Sequence, residues 1–198
     1  MSDDRVLIRA FALERAEPTG DGRTLVMRAV PYEYEIRSAQ GLKPGEREVF
    51  SRGAFDTQIR TTSAPGRIKL TLAHPRPDQR LTDSLVGVLT SMEDRADGLY
   101  VEGRMATSSV ANDTLALVND GVLDQVSVGF VPLNTRREQG DGYSILRRVR
   151  AHMDHLALLP AGAYGDQAKV LAVREEADGE EPLGPTLADL RRLQARLR

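Results

Sequence analysis

Three histidines, His74, His152 and His155, are the whole supply of imidazole in this chain. Any proton transfer near neutral pH that uses imidazole must use one of them. There is no cysteine, which excludes disulfides, a thiol nucleophile and thiolate-bound zinc or iron-sulfur centres. Covalent catalysis is left to Ser, Thr, Lys or a carboxylate. Ser127 lies in the row LDQVSVGFVPL, two residues before Gly129, where the missing side chain lets a substrate backbone lie close to a strand. His74 ends the alternating row RIKLTLAH and is followed by PRPD, while His155 begins HLALLPAGAYGD. A serine hydrolase needs a nucleophile, an imidazole base, a group that orients the base, and amide donors for the oxyanion. Ser127, His74, His155 and the glycine-bearing loop from Pro160 to Gly165 supply one candidate for each.

Each of these residues also has an ordinary structural role open to it, a packed serine in a strand or a solvated histidine at a strand end. His152 and His155 are separated by an odd number of residues and so fall on opposite sides of one regular strand, which argues against both binding one metal. A zinc hydrolase built on His74, His155 and Asp78 or Asp154 is the rival chemistry, although the HExxH spacing is absent. No GxxxxGK[ST] or GxGxxG loop occurs, so a nucleotide enzyme is not expected. The cluster Arg147, Arg148 and Arg150 reads as a solvated strand face rather than an anion site.

The elements that must position these residues are mostly strands. Alternation and β-branched content predict strands over Arg5 to Glu14, Thr24 to Tyr34, Arg67 to His74, Leu85 to Ser91, Leu99 to Met105, Leu123 to Leu133 and Ala168 to Arg174. A further pair is expected at Tyr143 to Met153 and His155 to Leu159, after a turn-rich NTRREQGDG. Phe50 to Arg60 has helical spacing with Ser51 as cap, and a second helix runs from a Ser108 or Ser109 cap to Asn119, with Val110, Thr114, Leu117 and Val118 on one face and Gly121 as breaker. Along Leu123 to Leu133, Gln125, Ser127 and Gly129 share one face and Val126, Val128 and Phe130 the other. Ser127 is thus directed away from the core side.

With 198 residues and 40% hydrophobic content, one domain over residues 1–174 is expected, followed by an acidic linker (EEADGEEPLGP) and a short helical tail through residue 198. A formal net charge of -2 provides no basic field for nucleic acid or an anionic membrane. No apolar run approaches a bilayer span and the first nine residues lack the pattern of a signal peptide. A cytosolic protein is expected.

Several separated segments together resemble the prohead protease family of tailed phages, which is similar to the herpesvirus assemblins. They are EVFSRGAFDTQI (Glu48 to Ile59), LAH (Leu72 to His74), SLVGVLTSMEDRADGLYVEGRM (Ser84 to Met105), LVNDGVLDQVSVGF (Leu117 to Phe130) and HLALLPAGAYGDQAKVLAVR, ending at Arg174. The resemblance implies a mainly β fold with a few helices, antiparallel and barrel-like, and a serine endopeptidase without cofactor or metal. It places the nucleophile at Ser127 and the general base at His74. The third member falls on His155 where many relatives have glutamate, giving a Ser-His-His or Ser-His-acid arrangement, with Asp154, Glu48 and Asp78 as substitute acids. Backbone amides of Gly162 to Gly165 are the implied oxyanion donors. The implied partners are the major capsid protein precursor, its scaffold or delta region, the chain itself and a second copy, with action inside the assembling prohead in the host cytoplasm. The alternative within the same fold is a non-catalytic assembly scaffold.

Overall fold

The computed structural model describes residues 7–12, 22–37, 41–61, 67–75, 80–160 and 170–174. The acidic segment and the tail expected beyond residue 174 lie outside the described residues. Among the described residues nine strands form one sheet: β1 (Leu7–Ala12), β2 (Thr24–Pro31), β3 (Glu46–Phe50), β4 (Lys69–Leu72), β5 (Leu85–Asp94), β6 (Gly98–Met105), β7 (Gln125–Gln139), β8 (Ser144–Leu159) and β9 (Val170–Arg174). Their spatial order is β1-β7-β8-β4-β5-β6-β2-β9, with β3 beside β8. The sheet curls, so that β1 approaches β2 although they stand six places apart in that order. Among the described residues, the α-helices α1 (Asp56–Thr61) and α2 (Ser109–Asn119) accompany the sheet in the expected mainly β architecture.

Most neighbours pair antiparallel, and β8 is the exception. Its first residues run parallel to β3 (Glu46 opposite Ser144) and its last run parallel to β4 (Lys69 opposite His155). The concave side holds the core, in which Leu25, Met27, Leu70, Leu89, Val126, Val128 and Phe130 are fully buried. Phe130 packs edge-on to Phe50, which stacks on Phe55, at centroid distances of 4.9 and 5.8 Å. α1 is tied to the sheet by Gln58, whose amide both donates to the Met153 carbonyl and accepts from the Met153 N–H, each at 2.8 Å. These two bonds give both the nitrogen and the oxygen of a buried side-chain amide a partner at the strand that carries His155.

Four local expectations change. The segment expected to begin a helix at Phe50 is strand through Phe50, then a turn in which Gly53 has φ 76°, and only then α1. α2 buries Ala111, Thr114, Leu115 and Val118, while Leu117 is 38% exposed. The polar row after Leu133 continues β7 to Gln139, because its side chains find partners across the hairpin: Glu138 with Arg147, Thr135 with Arg148, Arg137 with Ser144. Tyr143 to Leu159 is one strand from Ser144 onward, not two.

Candidate active site

Three adjacent strands bring the candidate residues together. Ser127 on β7 stands opposite Ala157 on β8, Gly129 opposite His155, and β4 continues the same rows with Thr71 beside Ala157 and Lys69 beside His155. Register partners share a face of a sheet, so Ser127, Gly129, His155 and Ala157 all lie on the side away from Val126, Val128 and Phe130. That face is also covered: Ser127 is 1% exposed.

His155 reaches this face through a bulge. Phe130 pairs with Met153 and Gly129 with His155, which leaves Asp154 as one extra residue in β8. A bulge resets the alternation of a strand, so Met153 joins the core side with Phe130 while His155, two residues on, joins Ser127. The odd-number argument separating His152 from His155 therefore fails: His152, opposite Val131, belongs by register to the same face as His155. It is exposed and sits outside the hydrogen-bond chain described below. The space beside His155 comes from Gly129, where a Cβ would lie 2.6 and 2.7 Å from the imidazole nitrogens. A substrate backbone does not occupy that space; the His155 ring does.

His74 lies just beyond the end of β4. The Leu72 N–H donates to the Ser84 carbonyl and the Ala73 N–H to the Leu158 carbonyl, and Ala73 itself adopts φ 58°. A non-glycine residue in the left-handed region is strained, and such strain concentrates at functional sites. Here it breaks the strand's alternation one residue before His74.

The side chains form a single chain of hydrogen bonds. Ser127 Oγ is 2.7 Å from His74 Nε2, His74 Nδ1 is 2.9 Å from His155 Nε2, and His155 Nδ1 is 2.8 Å from Asp154 Oδ2. An ionised carboxylate only accepts, and a neutral imidazole has one donor and one acceptor nitrogen. Asp154 therefore assigns the proton of His155 to Nδ1, which makes Nε2 the acceptor for His74 Nδ1–H, which leaves His74 Nε2 to accept from the Ser127 hydroxyl. Burial, with the neighbouring His155 adding to it, lowers the His74 pKa to about 4. His74 is thus a neutral acceptor across the physiological range. A hydroxyl bonded to a neutral imidazole, itself held in one tautomer, is an arrangement able to generate an alkoxide-like nucleophile.

The family model of the caudovirus prohead serine proteases matches residues 11–178. The chain belongs to this family. No curated protein sequence matches it. Among solved structures it is similar to the bacteriophage T4 capsid assembly protease gp21, with 11% identity, a TM-score of 0.45, and coverage of 69% of this chain and 96% of that one.

Within this prohead protease, the other sequence candidates have different surroundings. Glu48 is buried on β3 and forms an ion pair with Arg148 at 2.5 Å, and Arg148 also donates to Thr135. Arg147 bonds Glu138 and Glu33. The arginine cluster is therefore an ion-pair framework along β8 rather than a simple solvated face, with Arg150 its exposed member. Asp78 and the loop with Gly162 and Gly165 lie outside the described residues. For the zinc alternative, all four ring nitrogens of His74 and His155 are engaged with one another, Ser127 or Asp154, and no group of three or more metal-ligating side chains occurs among the described residues. A cavity of about 540 Å³ opens beside β4, β5 and β6, lined among others by Lys69, Val88 and Arg104. Those three continue the row of His155 on the same face. The direct bond from Asp154 to His155 was not foreseen, because a regular strand points neighbours to opposite faces.

Proposed function

We propose that this prohead serine protease cleaves the capsid precursor, at its scaffold or delta region, with Ser127 as nucleophile, His74 as general base and His155 as the residue that orients His74. The observation that carries the reading is the hydrogen-bond chain from Ser127 Oγ through His74 to His155. As Oγ attacks the scissile carbonyl, its proton passes to His74 Nε2. The same proton is delivered to the departing amine, and a water activated by His74 then releases the acyl group from Ser127. His74 keeps its Nδ1–H bonded to His155 Nε2 throughout, so the ring does not rotate away between the two proton transfers.

The geometry suits a base that is almost always available but reluctant to hold the proton. Burial favours neutral His74, and the imidazolium that forms transiently is stabilised less by a neutral His155 than by a carboxylate in its place. Modest turnover is the expected result. Cleavage in trans of the capsid precursor, self-cleavage in the acidic segment 175–185, a protease domain ending near residue 174, dimerisation, and action in the assembling shell within the host cytoplasm belong to the same reading.

The test is co-expression with a major capsid protein precursor, comparing wild type with Ser127→Ala by gel and intact mass. Trimming by the wild type and not by the variant is expected. Trimming by both overturns the nucleophile. Intact precursor with both, in shells that still assemble, favours the non-catalytic scaffold instead.

A further inference from the structure

The hydrogen-bond chain does not stop at His155, and the strand is specifically deformed where it continues. Asp154 is the extra residue of the bulge in β8. In a regular strand its side chain and that of His155 would point to opposite faces. The bulge instead lets the Asp154 carboxylate meet the Nδ1 of its own sequence neighbour at 2.8 Å. Gly129 clears the space that the His155 ring occupies between the two contacts. The Asp154 side chain is 54% exposed, so the relay begins at the surface and runs inward to the buried Ser127.

We infer that Asp154 is a positioning residue of the proteolytic site, forming with Ser127, His74 and His155 a four-membered relay in which its carboxylate fixes the His155 tautomer and backs the histidine pair with negative charge. The inference rests on the proposed roles of Ser127 and His74. It answers the chemical weakness of a neutral third member: His155 alone offers an acceptor without charge, whereas His155 hydrogen-bonded to a carboxylate is a better acceptor for the His74 Nδ1–H when His74 becomes an imidazolium. No proton needs to pass beyond His74. The Ser127 proton moves to His74 Nε2 and on to the leaving amine, and the His74 and His155 Nδ1 protons remain where they are. Lys69 stands beside His155 by register on β4 and is the other charged side chain of that row on the neighbouring strand.

The experiment compares wild type with Asp154→Ala, Asp154→Asn and Ser127→Ala in two measurements. The first is long-range ¹H–¹⁵N correlation of the imidazoles, which is tractable with three histidines, each assigned by replacing it. The second is cleavage of the capsid precursor. The wild-type His155 is expected as the Nδ1–H tautomer, shifting toward Nε2–H in Asp154→Ala. The rate at saturating substrate should fall about ten- to a hundredfold in Asp154→Ala, with KM unchanged, the size of a lost charge-assisted hydrogen bond. Asp154→Asn, which retains an acceptor oxygen without the charge, should fall between. An Nε2–H tautomer in wild type, or an Asp154→Ala protein unchanged in tautomer and rate, overturns the inference. If Ser127→Ala still cleaves, the proposed nucleophile fails, and the tautomer measurement still decides whether Asp154 governs His155.

Discussion

Gly129 and His155 face each other across β7 and β8, and the imidazole of His155 fills the volume that any side chain at 129 would need. The glycine of the VSVGF row is thus set by the His155 ring that fills the space beside it. Gly129→Ala must push the ring off its bond to His74. The expected loss of stability is about 1–3 kcal/mol, typical of overpacking, accompanied by a larger loss of cleavage than Asp154→Ala causes. Denaturant unfolding and precursor cleavage on the same preparation check it.

The acid side of the pH profile should be set by His74. With its pKa lowered to about 4, the base is lost only as pH falls through that value, so kcat/KM should hold well below the ordinary histidine value near 6.5. Folding responds in the same window. The unfolded chain takes up a proton near 6.5 that the folded chain refuses until about 4, so this group makes the fold less stable as pH falls between the two. His74→Gln should flatten that part of the stability curve and lower cleavage by about a hundred- to ten-thousandfold. Denaturation midpoints and initial rates measured from pH 7 to 4 test both.

Glu48 and Arg148 are both buried and paired at 2.5 Å, with the guanidinium 5.9 Å from the Phe130 ring centre. Removing one partner takes away the charge that compensates the other where both are buried. Glu48→Leu or Arg148→Met should each cost about 3–5 kcal/mol, and the double replacement distinctly less than their sum. A urea-denaturation double-mutant cycle measures this. The row from EVF in β3 to the arginines of β8 serves the fold, so the histidine resonances of whatever remains folded should be unchanged.

Ala73 accepts φ 58° to turn the chain before His74. Ala73→Gly should preserve cleavage. Ala73→Val, whose branched side chain resists this region, should cost about 1–3 kcal/mol and reduce cleavage by misplacing His74. Thermal unfolding and cleavage rates of the two variants, side by side, distinguish a steric requirement from a chemical one.

How far the sequence foretold all this depended on whether a feature is local. β2, β4, the β5–β6 hairpin and the first half of β7 are visible in period-two alternation, and the Ser108 cap and Gly121 at φ 72° bracket α2. Ser127, His74 and His155 could be named through the order of the family segments. The bulge at Asp154 could not, because a register shift belongs to the pairing of β7 with β8 and not to either row alone. β3 escaped notice because its partner in β8 is about a hundred residues away (Glu48 opposite Leu146) and pairs parallel, without a hairpin to announce it. The row from Asn134 to Gln139 looked like a loop by polarity, yet its charges are satisfied from across the ladder.

The sheet order carries a last consequence. β8 lies between β7 and β4, and it is also the strand against which β3 pairs. Until it is made, the β1–β7 pair and the β4–β5–β6–β2 run have no shared neighbour in the sheet. Ser127 on β7 and His74 beyond β4 are therefore joined through the hydrogen-bonded ladder by β8. Pairings across such sequence distances form slowly, so the alignment of Ser127 with His74 is expected late in the folding of each new molecule.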